Sequence, residues 1–196
     1  MSTSVPDSDV LAAVDAALRA HFGQDPARAS LSFVGVQPIE VLRFEPSADE
    51  RVYTSLGMSL QPMTAAAASV RAKDGPRAEL LLHVRDPGDA YRDVWRRLSV
   101  LAAAPAVEGV VYRTGMTVDL GEPIAAGSGC TGVLVIDSGI GPVRTGDGDV
   151  AVLQAMPATA AELAWCRVRG SDALRTRWHE DGTDLLDVAR PTVRLG

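Results

Sequence analysis

Apolar residues first recur at helical spacing. Val10, Leu11, Val14, Leu18 and Phe22 share one face of a helix that Asp7 or Ser8 can cap and that Gly23 ends. Two strands are predicted next, Ile39 to Phe44 and Arg51 to Leu56, the second broken at Gly57. Gln61 to Asp74 carries Pro62 and an alanine run with no clear period, which fits a loop or a partial strand. In Arg77 to Arg85 the alternation is clean, with Leu80, Leu82 and Val84 on one face and Leu81 and His83 on the other. Asp86-Pro87-Gly88-Asp89 reads as a turn that also caps a helix over Ala90 to Ala104. That helix places Tyr91, Val94, Trp95, Leu98 and Leu101 in one stripe, and Pro105 is expected to end it.

The second half continues with a β-prone stretch, Val110 to Leu120, interrupted at Gly115. Gly132 to Asp137 and Asp149 to Met156 are apolar runs short enough for buried strands. Thr159 with Glu162 three residues on has the pattern of a capping box. Gly170 breaks that helix, Ser171 opens another carrying Leu174 and Trp178, and Asp184 to Val188 is predicted as a last strand. Helices and strands do not alternate strictly. The order predicts a single α+β domain, with a mixed, mostly antiparallel sheet packed by helices, over residues 9–196 behind a flexible leader of residues 1–8.

Composition narrows the function. The 196 residues carry 19 basic and 25 acidic side chains, a formal charge of −6, and Lys73 is the only lysine. An acidic chain argues against a nucleic-acid backbone as partner and favours a basic protein. The arginine bias, with abundant Ala and Gly, resembles coding from a GC-rich bacterial genome. Met1 to Asp9 has neither the basic nor the apolar region of a secretory signal, and no stretch approaches the ~20 apolar residues of a membrane span. Cys130 and Cys166 are too few for a disulfide framework and suit a reducing cytoplasm.

Several motifs suggest chemistry. Gly127-Ser128-Gly129-Cys130-Thr131-Gly132 matches a dinucleotide fingerprint in letters, but a loop precedes it and a strand follows, the reverse of what phosphate binding needs. Gly146-Asp147-Gly148-Asp149 runs directly into a hydrophobic strand, so a hairpin turn is expected there and not a calcium loop. His21, His83 and His179 are scattered, and no cofactor or metal site is expected. His83 near Cys130 or Cys166 is the one arrangement that would make a thiol nucleophile. Of the three tryptophans, Trp95 fits a core stripe, while Trp178, beside His179 and Glu180, is the candidate for a partner-facing anchor.

Segments in order along the chain resemble the Suppressor of Fused family. They are Val52-Tyr53-Thr54-Ser55-Leu56-Gly57-Met58-Ser59, then Arg77 to Val84 led by Glu79-Leu80, then the Trp95 helix. Val152 to Pro157 with Thr159 and Glu162-Leu163 follows, and last Gly170 with Leu174 and Asp187 with Arg190. The resemblance covers about Leu42 to Val193. It implies an α+β fold, no catalytic activity and a protein partner; animal members grip an extended peptide between two domains, and this chain matches only the first of them. Bacterial single-domain members are implied to be immunity proteins that neutralise a cognate toxin. Tyr53, Met58, Trp178 and Arg190 are the expected partner contacts, with an Asp187–Arg190 ion pair as the alternative for the last. A thiol-dependent enzyme and a small-ligand scaffold are the rival functions.

Overall fold

The computed structural model describes residues 7–32, 37–68, 74–86, 91 and 93–196, with residues 7 and 8 in backbone only. The leader expected over residues 1–8 and its cap therefore lie outside the described side chains, as do Pro87, Gly88 and Asp89 of the expected turn. The chain runs α1 (Asp7–Phe22), β1 (Ala27–Leu31), β2 (Ile39–Phe44), β3 (Glu50–Leu56), a 3₁₀ turn (Met58–Leu60) and β4 (Arg77–Arg85). It continues with α2 (Val94–Glu108), β5 (Thr117–Asp119), β6 (Cys130–Asp137), β7 (Val143–Thr145), β8 (Gly148–Thr159), α3 (Ala160–Arg169) and α4 (Ser171–Glu180).

One sheet joins the strands in the order β1-β2-β3-β4-β8-β6-β5, with β7 also on β8. Among the described residues only the β4–β8 pair is parallel, so the fold is α+β with a mixed, mostly antiparallel sheet. The period of two sorts side chains between its faces. Ala151, Leu153 and Ala155 of β8 point to one core with Leu80, Leu82, Val84 and α2. Val150 and Val152 join the α1 core on the other face, while Met156 and Ala158 join the α3–α4 core beside it. Helices therefore cover both faces, α2 alone on one, α1 and α3–α4 side by side on the other.

Local chemistry explains where the elements depart from the pattern. Pro105 does not end α2, which continues to Glu108 and closes on Gly109 in the left-handed region (φ 69°). A proline inside a helix leaves the carbonyl four residues back without its donor. Here the buried Tyr112 hydroxyl donates to that carbonyl, Leu101 O, at 2.7 Å. Burial pushes the Tyr112 phenol well above its ordinary range, which keeps it a donor. The helix begins at Val94, later than the expected Ala90, and Trp95 packs against the core its stripe predicts while remaining partly buried.

The expected strand Asp184 to Val188 is a series of turns, joined to β4 by the backbone bond Arg85 N to Leu186 O. Asp184 and Asp187 accept from Leu186 N and Ala189 N, and such side-chain bonds compete with a ladder. β1 and β7 carried no strand signal, being short and mostly exposed or half-buried. The Gly146-Asp147 turn does join β7 to β8 as a hairpin, with Thr145 paired to Gly148. The glycine-rich stretch at Gly127 leads into β6, where Gly132 meets β5 so closely that a Cβ would lie 2.2 Å from Val118 O.

Candidate partner-binding surface

Two buried carboxylates organise the ends of the sheet. Glu79 in β4 is fully buried and accepts from Ser55 Oγ (2.5 Å), Gly57 N (2.9 Å), Ser59 N (3.0 Å) and Ser59 Oγ (2.7 Å). Arg77 donates to the carbonyls of Ser59 and Leu60 at 2.7 Å each. Four donors, three on Oε1 and one on Oε2, engage the Glu79 carboxylate, so it holds the 3₁₀ turn against β4. Gly57 is needed in this turn, because it sits at φ 126° and a Cβ there would press on Pro38 O at 3.1 Å.

The second carboxylate is Glu162, at the third position of α3. It completes the capping box with Thr159 and takes a two-pronged pair from Arg190, Nη1 to Oε1 at 2.7 Å and Nη2 to Oε2 at 2.9 Å. Val193 N adds a bond at 3.0 Å. Burial alone would raise the Glu162 carboxyl, but the bonds from Arg190, Val193 and Thr159 hold it below the ordinary carboxylate range. Arg190 also donates to Pro157 O and lies over the Trp178 ring, 5.6 Å from its centroid. The turn-rich C-terminal segment is thereby fastened onto α3 and α4.

These networks decide where the expected contact residues lie. Tyr53, Met58, Trp178 and Arg190 are 4, 6, 3 and 4% exposed, so none presents a side chain to bulk solvent. Trp178 packs with Leu163, Cys166 and Leu174 in a core, the reverse of its expected place at the surface. Arg190 pairs with Glu162 and not with Asp187. The structure does not bring the four together. Met58 lines a cleft of ≈ 370 Å³ with Leu60, Pro62, Ala66 and Val107, between the turn after β3 and the end of α2. Tyr53 lines one of ≈ 400 Å³ with Val41, Arg43, Asp86 and Trp95, beside the edge strand β1. Trp178 backs a third of ≈ 470 Å³ with Met156, Arg175 and His179.

Among the described residues, no hydrogen bond joins His83 to either cysteine, and Cys166 packs with Leu163, Leu174 and Trp178. Cys130 belongs to the core under α2, whereas His83 lies on the opposite face of the sheet, its Nε2 3.0 Å from Glu50 Oε2. Both cysteines are buried and free, and desolvation pushes both thiols up. A nucleophilic thiol needs the opposite shift. Among the described residues, no group of three His, Cys, Asp or Glu side chains could hold a metal ion, and no helix is long and apolar enough to cross a membrane.

What the fold leaves outward is more informative. The outer face of α3 carries Ala161, Ala164 and Val168 exposed, with Trp165 half-buried beside them. Sequence reasoning missed this stripe, the role of Glu79 and the pairing of Glu162 with Arg190, while its capping box of Thr159 and Glu162 is present. For the stripe the signal was ambiguous: apolar residues occur all round α3, so its sequence alone does not say which side is buried.

Comparison with known proteins agrees with the geometry. The profile of the family described as Suppressor of fused protein (SUFU) matches residues 35–191. No curated protein sequence matches the chain. Among solved structures, a SUFU homolog from Neisseria gonorrhoeae FA 1090 superposes with a TM-score of 0.69 at 17% identity, covering 96% of this chain and 99% of that one. The crystal structure of the Sufu–Fu complex gives 0.67 at 14% identity, with 94 and 92% covered. Drosophila Suppressor of Fused gives 0.68 at 14% identity, and 94% of this chain spans 51% of that protein.

Proposed function

The chain belongs to the Suppressor of Fused family, and we propose that it is a non-catalytic protein-binding module whose partner is a bacterial toxin that it neutralises. One observation carries the non-catalytic part. Most of the described groups considered for chemistry are engaged inside the fold: Glu162 is saturated with donors, Glu79 accepts four bonds, His83 is held by Glu50, and both thiols are buried and raised, although Asp86 and His179 line clefts. The likeness to the Sufu of a Sufu–Fu complex supports a protein as the ligand. The formal charge of −6 favours a basic partner at long range, and the free cysteines suit the cytoplasm of a bacterium. Met58, Tyr53 and Trp178 would take part as walls of the clefts they line, accepting a partner's side chains, with Arg190 holding the segment behind Trp178 in place.

The test is co-expression. A protein co-purified with the tagged chain should be toxic when expressed alone and harmless when expressed with it. A captured partner without toxicity would remove toxin neutralisation and leave regulation by binding.

A further inference from the structure

The outer face of α3 inverts the usual pattern of a surface helix. Glu162, Leu163 and Cys166 are its buried residues, and an amphipathic helix puts polar groups opposite such a face. Instead Ala161, Ala164 and Val168 stand there, at spacings of three and seven from Ala161, and half-buried Trp165 borders them with part of its ring packed on the α3–α4 core. Val168 is 81% exposed, against 60% for Val107 and 45% for Val100. Arg167 and Arg169 are exposed on either side of this stripe. Exposed Arg113 belongs to the turn before β5, whose Gly115 lies against Ser171 at the α3–α4 corner.

The electrostatics at this corner oppose those of the whole molecule. Among the described residues, Arg113, Arg167 and Arg169 form no ion pair, and Arg167 donates only to Thr117 Oγ1 at 3.2 Å. Two carboxylates lie near them: Asp172 at the start of α4, 3.9 Å from Arg175, and exposed Asp119 in β5, which is two residues from Thr117 and accepts from Gly121 N. An apolar stripe with unpaired arginines along both sides is complementary to apolar side chains flanked by carboxylates. We propose that this face is a docking surface for an acidic, amphipathic segment of a protein partner, with apolar anchors on Trp165 and Val168 and carboxylates at Arg113, Arg167 and Arg169. The inference rests on the protein-binding reading but not on the partner being a toxin. Total charge governs approach, and this stripe governs which segment seats here.

Other occupants fit less well. A second copy docked face to face would bring arginines against arginines, and four side chains fall short of the ~800 Å² per partner of a stable interface. An anionic bilayer would meet a chain of net charge −6 through a stripe half made of alanine.

The probe is a labelled 14-residue peptide of Leu and Glu at helical spacing, against its Leu and Lys counterpart, read by fluorescence anisotropy. The acidic peptide should bind saturably and the basic one should not. Val168→Ser, and separately Arg167→Glu with Arg169→Glu, should weaken binding at least ~10-fold, because a desolvated anchor or charge pair contributes at that level. Thermal melts should hardly move, since these side chains are exposed. The proposal is overturned by equal binding of both peptides, by no binding, or by insensitivity to Val168→Ser. It is equally overturned if the chain prefers vesicles of phosphatidylcholine and phosphatidylglycerol, or if light scattering shows a dimer that Val168→Ser dissolves. A captured partner that still binds the Val168→Ser chain sinks this surface while sparing the protein-binding reading, and a folded bait that captures nothing sinks that reading.

Discussion

Replacing Arg190 by Met should show that the C-terminal segment is fastened from within. Glu162 is fully buried and Arg190 is 4% exposed, and two of the four bonds to the carboxylate come from the guanidinium. Met fills similar volume but leaves Glu162 with only Thr159 N and Val193 N. Removing one partner of a buried pair costs about 3–5 kcal/mol, because the other charge is left uncompensated. For a chain of this size that corresponds to a fall in Tm of about 6–20 °C. The pH dependence gives a second readout. The folded Glu162 carboxyl lies below its unfolded value, so its contribution is complete above about pH 4.3 and is lost as pH falls through the folded value. Without Arg190, burial raises the same carboxyl above its unfolded value, so the folded state then binds the proton more readily than the unfolded one. The stability gap between the two proteins should therefore narrow as pH falls from 7 to 4 in urea unfolding, with equal m-values. A Tm change within about 1 °C, or a gap independent of pH, would refute the reasoning.

Three further outcomes follow from the packing. Tyr112→Phe leaves the Leu101 carbonyl without a donor and should cost about 1–3 kcal/mol, and less when Pro105→Ala restores the helical N–H, as a double-mutant cycle in urea would show. Gly132→Ala places a Cβ against Val118 O, which must separate β5 from β6, and should lower the Tm by an amount equivalent to about 1–3 kcal/mol. Iodoacetamide should alkylate Cys130 and Cys166 far more slowly in the native protein than in urea, and rapid native labelling of either would revive a thiol mechanism.

The elements with strong periodicity were legible in the sequence. α1, β4, β6 and β8 follow from apolar spacing and α3 from its capping box and the Gly170 break, and these also define the α+β class. What was not legible depended on partners far along the chain. Pro105 ends a helix unless a donor such as Tyr112 arrives to replace the missing N–H, and nothing near Pro105 announces it. Arg190 was expected beside Asp187 three residues away, but Glu162, 28 residues away, offers a buried, two-pronged site. Trp178 lies in a core where a surface anchor was expected, for the same reason, and Trp95 packs on its core only in part. Trp178 is covered by the returning C-terminal segment, while the groove beside β1 leaves Trp95 partly open.

The central claim, that this fold presents a surface to another protein, is tested most directly by a tagged pull-down from native lysate over a salt series, with the bait's fold confirmed by a cooperative melt. The account expects one stoichiometric protein partner, released as salt screens the charged contacts. A folded bait that returns no stoichiometric protein at any ionic strength would contradict it.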